Sequence, residues 1–198
     1  MRIQIRMMLF LVACLISSRG LAQHYFEVRG ADTKYRYFDW NFTFTNSVIA
    51  DAFYVGVPGS NEFNLGGGYG FKPVPSLMIA PMAYAVVAKE AGQRGVKIAM
   101  LLAFEKKGWK VNSFLGYYEP IVGEVARYQV LDTLDASKVV HGPWEMGISN
   151  GFFHADRKWN PQIGPLLKLN DRLGSWYVSY RLGPQRELRF SRILLLKK

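Results

Sequence analysis

The chain has 198 residues, a formal charge of +10, 49% hydrophobic and 15% aromatic side chains, and a single cysteine, Cys14. With no disulfide available, a domain of this size must hold itself by burial and hydrogen bonding alone. The basic residues are spread along the chain, which argues against nucleic acid as a partner, and no apolar run reaches the roughly 20 residues of a spanning helix.

Arg2 and Arg6 open the chain, an apolar run follows from Met7 to Ile16, and small residues stand at Gly20 and Ala22. That is the layout of a secretory signal peptide, so residues 1–22 are expected to be removed and 23–198 to form one domain. Leu11-Val12-Ala13-Cys14 also reads as a lipobox, with lipidation at Cys14 the alternative to simple cleavage. Loss of Arg2, Arg6 and Arg19 leaves 22 basic against 15 acidic residues, a charge of +7. Such an excess suits contact with anionic lipid headgroups.

After a short candidate strand at His24 to Arg29, the first clear element is Phe38 to Thr45, where Phe38, Trp40, Phe42 and Phe44 alternate with Asp39, Asn41, Thr43 and Thr45. Successive strand residues point to opposite faces, so one face is wholly aromatic and the other wholly polar. Ala50 to Val57 is the next strand, stopped by Pro58-Gly59-Ser60-Asn61, and Glu62 to Lys72 the third. Leu77 to Lys89 is apolar on both faces. A turn at Ala91 to Gly95 leads into a strand from Val96 to Glu105. Trp109 to Tyr118 and Tyr128 to Leu134 continue the pattern, although Asp132-Thr133-Leu134-Asp135 blurs the period. Trp144 to Ser149 alternates again, and His154 to Pro161 reads as a polar loop. Gln162 to Asn170, Trp176 to Leu182 and Glu187 to Leu195 complete the set, with a hairpin at Asn170 to Gly174.

Alternating segments of about ten residues behind an export signal resemble the bacterial outer-membrane β-barrel family, in its small porin-like or scaffold form. The fold class expected is all-β: a closed antiparallel up-and-down transmembrane β-barrel of about 10–12 strands. Phe38, Trp40, Phe42, Phe44, Trp176, Val178 and Tyr180 are then expected to face lipid. Asp39, Asn41, Glu62, Asn64, Lys97, Glu105, Lys110, Glu145, Lys168 and Arg181 are expected to face the lumen, where opposite charges pair. Gly66, Gly68, Gly70, Gly116 and Gly147 lie on the polar face, where they make room for long side chains. Tyr35, Tyr37, Trp109, Tyr118, Trp144, Trp159 and Trp176, near strand ends, are expected in interfacial girdles. The chain departs from the family in ending Ile193-Leu194-Leu195-Leu196-Lys197-Lys198 instead of on an aromatic residue.

Candidates for chemistry are few. Ser149-Asn150-Gly151, with Asn160-Pro161, weakly resembles segments of outer-membrane lipid A 3-O-deacylases. That family has its catalytic His two residues before the Ser, where this chain has Gly147, leaving Ser149, His154 and Glu145 as the only available group. A Ser without a base is not activated at neutral pH. His24, His141 and His154 lack any metal-ligand spacing, so no metal or cofactor is expected. Asp132 to Asp135 reads as a turn with two solvated carboxylates, with a loop cation site as the alternative. Trp159 to Pro165 reads as a stiff loop able to fold over the lumen. The function expected is a non-enzymatic integral barrel of the outer membrane, either a small-solute channel or a structural scaffold. The alternatives are a membrane-lipid-modifying barrel esterase and a secreted soluble barrel with an apolar ligand. Expected partners are membrane lipid, lipopolysaccharide and the barrel-assembly machinery.

Overall fold

The computed structural model describes residues 21–88, 92–123, 127–155 and 157–196, so the expected signal sequence up to Gly20, including Cys14, lies outside the described residues. The strands are β1 Leu21–Ala31, β2 Arg36–Phe44, β3 Val48–Val57, β4 Ser60–Tyr69, β5 Phe71–Val74 and β6 Leu77–Ala88. They continue as β7 Gln93–Lys106, β8 Trp109–Val122, β9 Tyr128–His141, β10 Trp144–Ala155, β11 Lys158–Asp171, β12 Gly174–Arg181 and β13 Glu187–Leu196. Apart from β4 and β5, each strand pairs antiparallel with its neighbour in sequence, and β1 pairs β13 from His24↔Leu196 to Ala31↔Arg189, closing the sheet. Both β4 and β5 pair β6, with a break around Gly70 and a register shift between Phe71 and Val74, so they make one crossing and the barrel has 12 strands. Closure pairs every strand on both sides over at least part of its length, which is the condition for exposing a sheet to hydrocarbon.

The alternation in the sequence becomes an inside and an outside. On β2, Trp40 is 51% exposed while Asp39 beside it is 4% exposed. Outward from the closed sheet, large apolar side chains stand exposed on strand after strand, among them Phe63, Ile98, Leu115, Met146, Ile163 and Phe190. The inside has two unlike walls. Tyr37, Phe53, Met82, Tyr84 and Tyr118, on β2, β3, β6 and β8, form an aromatic cluster with Phe114 packed against it. β1 and β9 to β13 supply most of the buried charge, Glu27, Asp135, Glu145, Lys168, Arg181, Glu187 and Arg189, while Asp39, Asp51 and Lys97 stand among the rings of the first wall. The two-sided apolarity of β6 follows: Met82, Tyr84 and Val86 fill the aromatic wall, and Ala83, Ala85 and Val87 face outward.

Several sequence expectations need correction. Tyr35, Tyr37 and Tyr118 are buried inside, not in girdles; Tyr37 donates to Asp39, and Tyr118 stacks on Tyr128. Asp132 to Asp135 is not a turn, because β9 runs through it to His141. Its period blurs at a β-bulge: Phe114 pairs Thr133 but Leu115 pairs Leu131, so Asp132 is an extra residue. The polar loop from His154 to Pro161 is also absent. β10 and β11 pair as far as Ala155↔Lys158, so Trp159 to Pro165 is strand. Pro165 has no N–H for the ladder, and pairing to β12 lapses there between Leu166↔Ser179 and an isolated Ile163↔Leu182 bridge. The turn placed at Ala91 to Gly95 is shorter, since β7 begins at Gln93.

Candidate functional site

One end of the barrel holds a cavity of about 900 Å³ whose rim is formed by the β1–β2, β3–β4, β6–β7, β10–β11 and β12–β13 ends. Four cations line it, Arg29, Lys97, Arg181 and Arg189, against two carboxylates, Glu62 and Glu187. Asn41, Asp51, Glu145 and Lys168 do not line it; they lie deeper along the strands. The cavity is thus a vestibule above a floor of tightly bonded side chains.

A charge removed from water needs a partner, and each charge here has one. Glu27 and Arg29 stand two apart on β1, hence on one face, and pair at 2.6 Å, with the guanidinium over the Tyr37 ring at 4.5 Å. Glu187 and Arg189 repeat the arrangement on β13, with Arg189 over Tyr35 at 4.4 Å and Thr33 donating to Glu187 at 2.9 Å. Lys97 pairs with Glu62 at 2.5 Å and lies 5.1 Å from the Phe53 ring centre. Tyr128 donates to the same carboxylate, as does Asn64 at 2.8 Å. Arg181 donates to Ser149 Oγ at 2.8–2.9 Å and sits 3.7 Å from Asp135, to which Ser149 donates.

Deeper, Glu145 is wholly buried. It accepts from Lys110 at 2.7 Å, Asn170 at 2.7 Å and Ser137 at 2.8 Å, with Lys168 3.5 Å away. Asp39 accepts from Tyr25 and Tyr37 at 3.1 Å, while Asp51 accepts from Tyr84 at 2.7 Å and Asn41 at 3.2 Å. Bonded rows of opposite sign resist displacement by water better than isolated charges do, because each group satisfies several others.

Of the residues expected to face the lumen, Asp39, Asn41, Asn64, Lys97, Glu145, Lys168 and Arg181 are buried and Glu62 and Lys110 half-buried. Glu105 is exposed at the end of β7, 4.0 Å from Lys110. Of those expected to face lipid, Phe38, Trp40, Trp176, Val178 and Tyr180 are exposed. Phe42 and Phe44 are half-buried, Phe42 stacking on His24 at 5.8 Å and lying tilted against Trp40 at 5.0 Å. The esterase group is not assembled. Ser149 is buried against Arg181 and Asp135, whereas His154 stacks on the exposed Trp159 at 4.3 Å, and Glu145 is held by lysines. Glu27, Arg29, Asp51, Asp135, Glu187 and Arg189 also belong to the interior networks. Extending the alternation two residues at a time along β1 and β13 would have found four of them.

A closed antiparallel sheet, apolar outside and ion-paired within, defines an integral β-barrel of the outer-membrane class. No family model and no curated protein matches the chain. Among solved structures, it is similar in fold to a KdgM porin, with a TM-score of 0.63 and 9% identity over 89% of this chain and 99% of that one. The same porin in complex with disordered oligogalacturonate gives the same values. A NanC porin gives a TM-score of 0.60 and 10% identity over 88% of this chain and 99% of that one.

Proposed function

We propose that this barrel is a narrow channel for small hydrophilic solutes, entered through the vestibule and preferring anions there. The observation that carries the reading is the vestibule itself, about 900 Å³, which presents all four cations on its lining while two of their four carboxylate partners, Glu27 and Asp135, stand behind it. Barrel diameter grows with strand number, and 12 strands fall between the side-chain-filled interior of about eight and the aqueous channel of about 16. A narrow, partly occupied lumen is what that number supports. The vestibule faces the exterior in this reading. Connections at the opposite end are two or three residues long, at 45–47, 75–76, 107–108, 142–143 and 172–173, whereas the vestibule end has two that short, 58–59 and 156–157, and four of four or five residues, 32–35, 89–92, 123–127 and 182–186. Outer-membrane barrels keep short turns on the periplasmic side. The complex of the similar KdgM porin with an oligogalacturonate supports an anionic solute.

The test is conductance in a planar bilayer under a salt gradient. Discrete steps and a reversal potential of the sign for anion preference are expected, and Arg29→Gln with Arg189→Gln should move that potential toward zero. A bilayer with no steps would refute the channel and leave the scaffold reading.

A further inference from the structure

A second cavity, about 310 Å³, lies on the outer surface of the barrel, lined by Lys34, Arg36, Tyr54, Gly56 and Asn61 among others. Arg36 and Asn61 meet opposite sides of Gly56, through the pairs Arg36↔Gly56 and Gly56↔Asn61. A Cβ on Gly56 would come within 2.8 Å of the Tyr54 hydroxyl and 3.2 Å of Asn61 Oδ1, so the missing side chain is what keeps the recess open. Tyr54 donates to Asn61 along its floor. Lys34 projects from a turn fixed by its own N–H bonding to the Ala31 carbonyl at 3.1 Å.

Neither Lys34 nor Arg36 forms a side-chain hydrogen bond or ion pair with a described residue. Elsewhere on the same rim Arg127 is neutralised by Glu119 at 2.8 Å. Lys34 and Arg36, by contrast, share one recess without such a partner among the described residues. Directly along the same outer rows the surface turns apolar: Arg36 is followed by Phe38 and Trp40, Asn61 by Phe63, and Tyr54 packs on Phe38 at 6.1 Å. A ligand seated here would meet cations and an amide with its head and exposed rings with its tails.

We infer that this recess binds the phosphate of an outer-leaflet glycolipid headgroup, with Lys34 and Arg36 on the phosphate and Phe38, Trp40 and Phe63 along its acyl chains. The inference rests on the outward orientation of the vestibule end given above. Phosphate is the chemistry two cations and an amide recognise, and the apolar rows select a lipid as its source over the free ion.

The experiment is native mass spectrometry of the full barrel in detergent, titrated with lipid A carrying both phosphates, with dephosphorylated lipid A and with inorganic phosphate. Wild type should retain one bisphosphorylated lipid A in preference to the dephosphorylated form. Lys34→Gln with Arg36→Gln should weaken retention roughly thirtyfold, at about 1 kcal/mol per cation near a charged surface. Gly56→Val, which fills the recess without touching charge, should weaken it too. Retention unchanged in both variants would overturn the inference. So would inorganic phosphate competing at the lipid's own concentration, which would make this a free-phosphate site. Conductance read on the same preparations separates the two readings. A barrel that conducts but ignores lipid A sinks this site alone, and one that retains lipid A without conducting sinks the channel alone.

Discussion

Replacing Glu145 by Gln strikes the most enclosed charge in the barrel. Glu145 is 0% exposed, and among the described residues it is the one ion-pair partner of Lys168, itself 7% exposed. Breaking a buried pair from one side costs about 3–5 kcal/mol, because the surviving ion stays dehydrated without its partner. Lys110 softens the loss, being a quarter exposed on its side chain and keeping Glu105 at 4.0 Å. Gln also keeps an oxygen for Ser137 or Asn170. The low end, about 3 kcal/mol, is therefore expected, nearly all of it at Lys168. Adding Lys168→Met to Glu145→Gln removes the stranded cation and should restore more than half of the stability. The assay is the urea midpoint for loss of the compact, heat-modifiable gel band, approached from folded and unfolded sides. A single variant within about 0.5 kcal/mol of wild type, or a double variant no better than the single, would refute the reasoning.

Other outcomes follow from the two faces of the sheet. Trp40→Arg, at an exposed mid-strand position, should block membrane assembly at a cost of about 2–4 kcal/mol near the bilayer midplane. Asn41→Arg, whose neighbours are Asp51 and Asp39, should assemble; equal yields of heat-modifiable barrel from both would contradict the faces. Gly147→Val should fail to fold or lose about 1–3 kcal/mol or more, since a Cβ there would stand 1.9 Å from the Ala136 carbonyl oxygen; an unchanged urea midpoint would count against the packing of β9 on β10. Ser149→Ala should leave lipid A acylation of an expressing strain unchanged while lowering stability by about 1 kcal/mol, because Arg181 loses one of its acceptors. Any change in acylation pattern would reopen the esterase reading.

The fold was legible wherever one strand face was held to one chemistry. Phe38 to Thr45 displays both faces without error, and all of it but Thr45 lies in β2, with Trp40 out and Asp39 in. Gly66 to Gly70 reads as strand because its neighbours keep the period, although the break at Gly70 leaves no mark in it. What stayed hidden depends on contacts far apart in the chain. Tyr35, Tyr37 and Tyr118 look like girdle residues until the carboxylates and rings that draw them inward are known. Asp132 to Asp135 looks like a turn because a one-residue bulge reverses the alternation in the same way. Trp159 to Pro165 carries two prolines, yet its ladder to β10 is intact, and sequence alone does not tell which edge lacks a partner. The vestibule is a property of closure: Tyr128 on β9 and Glu62 on β4 are 66 residues apart, and the ring of strands brings them face to face.

The outward placement of the ringed face is tested most directly by a variant keeping Trp40 as its one tryptophan, with Trp109, Trp144, Trp159 and Trp176 changed to Phe, refolded into vesicles of lipids brominated in mid-chain. Strong quenching of the Trp40 emission by the bromines, with little by aqueous iodide, is the result predicted. Emission indifferent to brominated chains and quenched by iodide would place that ring in water and contradict the account.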